Sequence, residues 1–245
     1  MLKNLKRSVA PAVALAAVLA IGMASSAMAG PRVLMVMRSE VPGGSSDPAV
    51  LAHLRQEGFD VTTTEGLSAM PSTCGFDLVI LSSTVRSNQF TADRAAIDRL
   101  RDMKQPLLTW ENDLQDDLRF TGLHRDVQFG EVETGHYGWM VRAPHPMSAG
   151  LPSGAIVWTA ARQPAGWGTP GLGADIIMTR PGEPEKAMLY AYETGATMDG
   201  TFDAPARRVF IGMDNGSFDN LTPEGHKLFD AAVNWAVEGK VPASC

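Results

Sequence analysis

The chain has few cysteines, and neither of them follows a predicted strand at a sharp turn into a helix. Only Cys74 and Cys245 are present among the 245 residues. A nucleophilic cysteine in an α/β enzyme needs such a turn and an adjacent base. The G-x-S-x-G motif that exposes a nucleophilic serine is also missing. The sequence therefore argues against covalent catalysis by either kind of nucleophile.

Positive charge is scarce as well. The chain has 21 lysine and arginine residues against 27 aspartate and glutamate residues, which gives a formal net charge of −6. A surface of net negative charge repels nucleic-acid phosphates and anionic lipids. After residue 29 no apolar run is long enough to span a bilayer. We therefore expect neither a nucleic-acid partner nor a membrane anchor beyond residue 29.

The first 29 residues have the three parts of an export signal. A positively charged segment comes first, an apolar segment follows at 9–23, and Ala27-Met28-Ala29 provides a cleavage site before Gly30. We predict that residues 1–29 are a signal peptide and that the mature chain, 30–245, is periplasmic or secreted. Three positive charges and no negative ones are lost with the signal, so the net charge becomes −9.

An oxidising compartment would permit a disulfide between Cys74 and Cys245. Cys74 precedes the predicted strand 76–81 at its amino end, and a final helix packed antiparallel to the strands would return Cys245 to that edge. Closing so long a loop would contribute roughly 5 kcal/mol in the chain-entropy model. We predict this pairing, and the alternative is two unpaired thiols.

Apolar runs and helical patterns alternate through the first half of the chain. A continuous apolar run such as VLMVM at 33–37 is typical of a parallel strand covered on both faces. The alternation predicts an α/β protein with a parallel sheet and right-handed crossovers. Strands are predicted over 31–38, 59–63, 76–81 and 106–110, and helices over 47–57 and 92–103.

The segment 207–239 has the clearest local pattern. A buried strand is predicted over 209–213, and the turn Asp214-Asn215-Gly216 follows it. Thr222 is the predicted N-cap of a helix with Pro223 at its first position, and Gly239 is predicted to end that helix. In α/β proteins the loop after such a strand lies at the carboxyl edge of the sheet, where ligands usually bind.

Between about 130 and 208 the sequence loses its helical periodicity and becomes rich in glycine, proline and aromatic residues. Antiparallel strands are predicted over 137–142, 155–160, 174–179 and 187–193. Because strands on both sides of this segment are needed to complete the main sheet, we predict one domain over 30–245 with a β-rich insertion at about 130–208.

Polar side chains follow several of the predicted strands. In a parallel sheet these side chains share one edge, so the carboxylates among them could meet in a single cleft. Two carboxylates in unequal surroundings could divide acid and base roles, and several could hold a hard cation such as calcium. The alternative is that they cap turns or face solvent. We predict catalytic roles for Glu111 and Asp214, and substrate-binding roles for Glu40, Asn112, Asp113 and Asn215.

His136 and Tyr137 lie near the start of the predicted insertion, where it would cover the cleft. His136 is the predicted general base, and Tyr137 with Trp139 would offer an aromatic surface on which a sugar ring stacks. The alternative is a loop histidine held by structural hydrogen bonds.

Four segments together resemble the ThuA-like proteins, a branch of the class I glutamine amidotransferase-like superfamily. They are VLMVM at 33–37, HPMSAGLP at 145–152, RRVFIGMD at 207–214 and LTPEGHKLFDAAVNWAVEG at 221–239. The resemblance implies a flavodoxin-like parallel sheet with flanking helices and a role linked to carbohydrate.

The resemblance does not extend to the catalytic residues of the superfamily. A class I amidotransferase has a cysteine after a central strand and a histidine with a glutamate after a late strand. The matching turns here have Trp110-Glu111-Asn112-Asp113 and Asp214-Asn215-Gly216. Because no thiol stands at the first turn and no histidine at the second, glutamine hydrolysis by the usual mechanism is not expected.

Two functions stay open. The first is an exported ThuA-like protein that binds or hydrolyses a carbohydrate or related polyol, with a carboxylate or histidine activating water. The second is a non-catalytic binding or scaffold protein with a degenerate amidotransferase-like fold. No cofactor is indicated apart from the cation considered above. A small-molecule ligand such as a sugar is the expected partner, and a homo-oligomer is compatible with the sequence.

Overall fold

The computed structural model describes residues 30–66 and 70–239. The predicted signal peptide, 1–29, and Cys245 lie outside these residues. The strands are β1 (Arg32–Met37), β2 (Asp60–Glu65), β3 (Leu78–Leu81), β4 (Leu107–Thr109), β5 (Phe129–Gly135), β6 (Tyr137–Met140), β7 (Gly154–Val157), β8 (Gln163–Gly168), β9 (Asp175–Arg180), β10 (Glu183–Tyr192) and β11 (Arg208–Ile211). The helices are α1 (Asp47–Gln56), α2 (Ser87–Ala92), α3 (Arg94–Asp102) and α4 (Pro223–Glu238).

Five strands form the parallel part of the sheet, in the order β2, β1, β3, β4 and β11. This order is the flavodoxin-like one, and the predicted parallel sheet is confirmed. The short strand β2 lies at the edge. The continuous apolar runs of β1 and β3 fit their central positions, because these strands are covered on both faces.

Helices cover both faces of this parallel part. Val33, Met35 and Met37 of β1 pack on the side of α1 and α4. Leu34 and Val36, which alternate with them, pack on the side of α3. The alternation follows from the two-residue period of a strand. The result is a three-layer α/β arrangement with the sheet in the middle.

The remaining strands extend the sheet in antiparallel pairing. From β11 the order continues as β10, β9, β6 and β7, while β5 pairs with β8 and β8 pairs with β10. The four strands predicted in the insertion correspond to β6, β7, β9 and β10. Two strands, β5 and β8, were not predicted. The insertion therefore continues the main sheet.

Helix α4 begins and ends where the sequence predicts. The hydroxyl of Thr222 accepts a hydrogen bond from the backbone N–H of Gly225 at 3.0 Å, as an N-cap does. The helix ends at Glu238, and Gly239 follows it with an ordinary φ of −81°. A Cβ at Gly239 would lie 2.1 Å from the side chain of Arg207, so close packing is what requires glycine here.

The predicted helix 92–103 corresponds to α3, which begins two residues later. A second short helix, α2, precedes it, was not predicted, and is separated from α3 at Asp93. The carboxylate of Asp93 accepts a hydrogen bond from the backbone N–H of Ala96 at 3.1 Å and caps α3. An aspartate that bonds the backbone locally competes with a continuous helix, which explains the break.

The described residues include Cys74 but not Cys245. Cys74 precedes β3, as predicted, and it is not a free thiol. The pairing of Cys74 with Cys245 stays a prediction. Within the described part of the chain, no helix has the length and apolar character needed to cross a membrane.

Candidate functional site

The parallel strands bring the loops after β1, β3, β4 and β11 to one edge of the sheet. The chain leaves β1 toward β2 on one side and returns to β3 on the other. A change of direction of this kind is the topological switch point at which flavodoxin-like sheets usually bind ligands. This edge of the sheet therefore has two neighbouring candidate sites, one around β1 and one around β4 and β11.

An open cleft of about 1080 Å³ lies at the switch point, and we call it the switch-point cleft. Its walls come from the loops after β1, β2 and β3 and from the segment that leads into α1. It is lined by Arg38, Ser39, Glu40, Val41, Pro42, Gly44, Ser45, Pro48, Glu65, Gly66, Val85 and Arg86. Two guanidinium groups and two carboxylates thus face one cavity, and their formal charges balance.

Local hydrogen bonds shape this cleft. The guanidinium of Arg38 donates to the carbonyl of Glu40 at 3.0 Å. The backbone N–H of Ser39 donates to the carboxylate of Glu65 at 3.0 Å. Hydrogen bonding from Ser39 lowers the pKa of Glu65 below its ordinary value, and the nearby charge of Arg38 acts in the same direction. Glu65 is therefore an ionised acceptor at neutral pH.

A buried carboxylate holds one wall of the cleft in place through hydrogen bonds. Asp47, the first residue of α1, accepts hydrogen bonds from the hydroxyls of Ser82 at 2.8 Å and Thr84 at 2.7 Å. All three side chains are buried. Burial raises the pKa of Asp47, and the two hydroxyls partly oppose that rise. This contact fixes the loop after β3 against the start of α1.

The second place on the edge is an acidic cluster of Glu111, Asp113, Glu131 and Asp214. Glu111 is only 5% exposed, and its carboxylate accepts a hydrogen bond from the backbone N–H of Asp113 at 3.0 Å. Burial raises the pKa of Glu111 well above its ordinary value, and the negative charges of the other three side chains add to the rise. Burial also raises the pKa of Asp214.

The structure thus brings three of the predicted carboxylates together and leaves one apart. Glu111, Asp113 and Asp214 interact electrostatically, whereas Glu40 lines the switch-point cleft. Glu131, on β5, was not predicted. The sequence gives only one indication of its role, the acidic pair Glu131 and Glu133, and that pair lies in a stretch without a clear strand pattern.

Asn112 and Asn215, which are predicted to bind a ligand, form hydrogen bonds to other protein groups at this edge. The side-chain oxygen of Asn112 accepts a hydrogen bond from the buried Gln115 at 2.8 Å. The side-chain oxygen of Asn215 accepts from the hydroxyl of Ser83 at 2.8 Å, and its backbone oxygen accepts from the N–H of Ser46 at 2.6 Å. Asp113 pairs with Arg125 at 3.1 Å. The contacts of Asn215 connect the loop after β11 to the loop after β3 and to the segment that leads into α1, whereas those of Asn112 and Asp113 stay within the segment between β4 and β5.

His136 and Tyr137 lie at the junction of β5 and β6. The Nδ1 atom of His136 is 3.4 Å from the hydroxyl of Thr159, and the ring packs edge-on against Tyr137. His136 is not among the groups that act most strongly on the pKa of Glu111. Tyr137 is 52% exposed on a face of the antiparallel extension. The predicted histidine base and the buried acid are therefore not seen to interact.

The described residues contain no group of three or more histidine, cysteine, aspartate or glutamate side chains that could hold a metal ion. The acidic cluster is accordingly a set of like charges around one buried acid. What it can do chemically is favour the protonated form of Glu111, since burial and the neighbouring carboxylates both oppose its ionisation and raise its pKa.

Solved structures share this fold at low sequence identity. A GMP synthase component from Thermoplasma acidophilum has a TM-score of 0.53 and 11% identity, covering 85% of this chain and 95% of that chain. A ThuA-like protein from Bacteroides uniformis has a TM-score of 0.54 and 13% identity, covering 88% and 95%. A ThuA-like protein from Parabacteroides merdae has a TM-score of 0.51 and 12% identity, covering 88% and 93%.

At these identities the likeness is one of fold. No family model matches the sequence, and no curated protein matches it. The predicted resemblance to ThuA-like proteins, and to the amidotransferase-type fold that they share, is confirmed at the level of the fold.

Proposed function

We propose that this chain, which has the fold of the ThuA-like proteins, is a binding protein for a small hydroxylated ligand such as a carbohydrate or related polyol. In this proposal the ligand occupies the switch-point cleft and the protein does not hydrolyse glutamine. The observation that carries the proposal is the position and lining of that cleft. It is a large open cavity at the switch point, with Arg38, Glu40, Glu65 and Arg86 around it.

The lining suits a ligand with several neighbouring hydroxyl groups. A carboxylate only accepts hydrogen bonds, whereas a guanidinium only donates them and does so from a planar fork. Each hydroxyl of a polyol both donates and accepts, so alternating carboxylates and guanidiniums can satisfy a row of them. The balanced formal charge of the four side chains favours a ligand of little or no net charge.

The absence of amidotransferase activity is part of the same proposal. The turn after β4 carries Trp110 and Glu111 where a nucleophilic cysteine would be needed. Cys74 precedes β3 and so lies at the amino end of that strand, away from the carboxyl edge. The loop after β11 carries Asp214 and Asn215, neither of which is a histidine-type base.

A second candidate is hydrolysis of a glycosidic bond, and the environment of Glu111 favours it. A carboxyl kept protonated by burial and like charges can act as a general acid while a neighbouring carboxylate acts as a base. Asp214 is the neighbour with a matching position on the edge. One observation opposes hydrolysis of a glycosidic bond. Glu111 is almost fully buried, and it does not line the switch-point cleft.

The proposal is tested by a thermal-shift screen of the protein against aldoses, ketoses, sugar alcohols, sugar acids and divalent cations, with titration calorimetry on each hit. A ligand at 100 times its Kd should stabilise the folded state by about 2.7 kcal/mol, which corresponds to roughly 5–10 °C in Tm. Ammonia release from glutamine and sugar release from aryl glycosides are measured in parallel, and we expect neither.

Variants then locate the ligand. Arg86→Ala removes one charged donor from the cleft and should weaken binding about 10- to 100-fold, because a hydrogen bond to a charged group contributes about 1.5–3 kcal/mol. Arg99→Ala, an exposed arginine of α3, is the matched control and should leave binding unchanged. A screen without any hit, or equal binding by both variants, would contradict the proposal. Sugar release that Glu111→Gln abolishes would instead favour the second candidate.

A further inference from the structure

In the part of the antiparallel extension formed by β6 and β7, the sheet has one covered face and one exposed face. Met140, Ile156 and Trp158 are buried in the core that α4 shares. The residues that alternate with them face the other way. Of the seven exposed large hydrophobic side chains in the described part of the chain, four are on this second face: Tyr137, Trp139, Val141 and Val157. We call these four residues the β6 aromatic face.

Strand pairing places the two aromatic rings side by side. Tyr137 lies opposite Val157 on β7, and Trp139 lies opposite Ala155 on β7 and Thr179 on β9. Because Tyr137 and Trp139 are two residues apart on one strand, they point to the same face at a spacing of about 6.6–6.8 Å. Tyr137 is 52% exposed and Trp139 is 47% exposed. Two flat apolar surfaces are thus presented to solvent in a row.

Polar groups border these rings. Trp139 forms one wall of a depression of about 340 Å³, which is also lined by Val141, Thr179, Arg180, Gly182 and Pro184. Arg180 is paired with Glu183 at 2.5 Å, and Lys186 lies 2.5 Å from the same carboxylate. On the other side Arg142 is paired with Asp175. Each of these cationic groups is paired with a carboxylate, and Arg180 and Lys186 share that of Glu183.

We infer that the β6 aromatic face binds the pyranose rings of a neutral oligosaccharide or polysaccharide. A pyranose has an apolar face of C–H groups and a periphery of hydroxyls. The apolar face matches a row of exposed rings, and the hydroxyls match the guanidinium and carboxylate groups of Arg180 and Glu183. Because the cationic groups of the border are already paired with carboxylates, the border suits a neutral ligand better than an anionic one. The inference rests on the proposed function for the class of ligand only, since this surface is separate from the switch-point cleft.

The size of the face argues against a second copy of the chain as its occupant. A fully buried aromatic side chain covers about 150–250 Å², so four half-exposed side chains offer at most on the order of 500 Å². A stable dimer buries about 800 Å² on each partner. A row of two rings is enough for a saccharide but is small for a protein interface.

Affinity electrophoresis tests the inference directly. The protein is run in native gels that contain laminarin, hydroxyethylcellulose, glycogen or mannan, and we expect at least one of them to retard it. Trp139→Ala and Tyr137→Ala should each weaken that retardation about two- to tenfold, and the double variant should abolish it. Trp139→Phe should retain most of it, because a ring is still present.

Controls separate this inference from the proposed function. Leu172→Ala removes an exposed apolar side chain elsewhere and should change nothing. Arg86→Ala should lose the thermal shift with small ligands and keep the retardation by polysaccharide, while the double aromatic variant should do the opposite. Retardation by a polysaccharide without any thermal shift from a small ligand would contradict the proposed function of the cleft and support this inference.

Two results would overturn the inference. One is the same mobility in all four gels as in a gel without polysaccharide, or equal retardation of the parent and the double variant. The other is a concentration-dependent dimer in sedimentation experiments that Trp139→Ala dissociates, which would assign the face to a second copy. Since the replaced side chains are half exposed, unchanged melting temperatures should show that every variant is folded.

Discussion

Replacing the carboxyl of Glu111 by a carboxamide, in Glu111→Gln, should stabilise the protein at high pH relative to low pH. The carboxyl is 5% exposed, and its burial together with three nearby carboxylates raises its pKa well above the ordinary value of 4.5. The carboxamide oxygen can still accept the hydrogen bond from the backbone N–H of Asp113. The variant therefore removes the ionisable proton while it keeps the shape and the main contact.

The direction of the pH dependence follows from proton binding in the two states. Below about pH 4 the carboxyl of Glu111 is protonated in both the folded and the unfolded chain, so it has no effect on the pH dependence of stability. Between the unfolded pKa near 4.5 and the raised folded pKa, the folded state holds a proton that the unfolded state has released. The free energy of unfolding of the parent therefore falls as the pH rises through this window. The variant lacks this loss.

Thermal unfolding at pH 4 and pH 8 measures the effect. Each pKa unit of the difference contributes about 1.4 kcal/mol, and each kcal/mol moves the Tm of a chain of this size by about 2–4 °C. We expect the Tm advantage of Glu111→Gln over the parent to be larger at pH 8 than at pH 4 by at least a few degrees. Glu57→Gln, which replaces an exposed carboxylate, is the control and should show no such difference. An advantage of equal size at both pH values would refute the reasoning.

Three further predictions concern the contacts that hold the site. Asp47→Ala removes the carboxylate acceptor of the buried hydroxyls of Ser82 and Thr84. One of these hydroxyls can then donate to the other, 3.0 Å away, so the variant should cost about 1–3 kcal/mol for the one group left unsatisfied, measured by urea unfolding. Arg208→Met removes a buried guanidinium that donates to the carbonyls of Arg101 and Met103 at the end of α3. The variant should cost about 1–3 kcal/mol for each carbonyl left without a donor, whereas loss of less than 1 kcal/mol would contradict its role. Thr222→Ala removes the N-cap of α4 and should cost about 1 kcal/mol, with Thr222→Ser close to the parent.

The parts of the fold that could be predicted are those with local signals. The cap at Thr222, Pro223 at the first position and the apolar face that follows specify α4 without reference to any other segment. The apolar runs of β1 and β3 likewise specify buried strands. In contrast, β8 has the sequence QPAGWG, which has low intrinsic strand propensity. Its strand conformation comes from pairing with β5 and β10, and such long-range pairing has no local signal.

Glycine in β8 has a role that only the tertiary structure reveals. A Cβ at Gly168 would lie 2.3 Å from the side-chain oxygen of Gln115 and 2.7 Å from the hydroxyl of Tyr190. Gln115 in turn donates to the carbonyl of Trp167 at 3.0 Å. The glycine that weakens the strand pattern in the sequence is therefore the residue that lets the insertion approach the edge of the main sheet.

The sequence predicted that Glu40, Glu111 and Asp214 meet in a single cleft, whereas the structure places them in two parts of one edge, and their roles stay predictions. Parallel strands brought Glu40, Glu111 and Asp214 to one edge, as the alternation of elements implied. The order of the strands was not readable from the sequence. Because β1 and β11 are separated by β3 and β4, their ends are three strand spacings apart, about 14 Å. The loops beyond the strand ends come closer, since the backbone oxygen of Asn215 accepts from the N–H of Ser46. Glu40 nevertheless lines the switch-point cleft, whereas Asp214 acts on Glu111, so the edge divides into the switch-point cleft and the acidic cluster.

Hydrogen bonds behind one wall of the switch-point cleft affect how the cleft would bind a ligand. Asp47 holds Ser82 and Thr84, and the next two residues, Val85 and Arg86, line the cleft. One wall is thus fixed by buried contacts before any ligand arrives. Binding loses affinity when flexible segments must be ordered, so a preorganised wall lowers that cost. The other wall is also held in place, because the backbone N–H of Arg38 donates to the hydroxyl of Thr84 at 3.1 Å. The side chains of Glu40 and Arg86 are exposed and can still adjust. A fixed backbone with adjustable side chains favours binding of a family of similar polyols over a single substrate held for reaction.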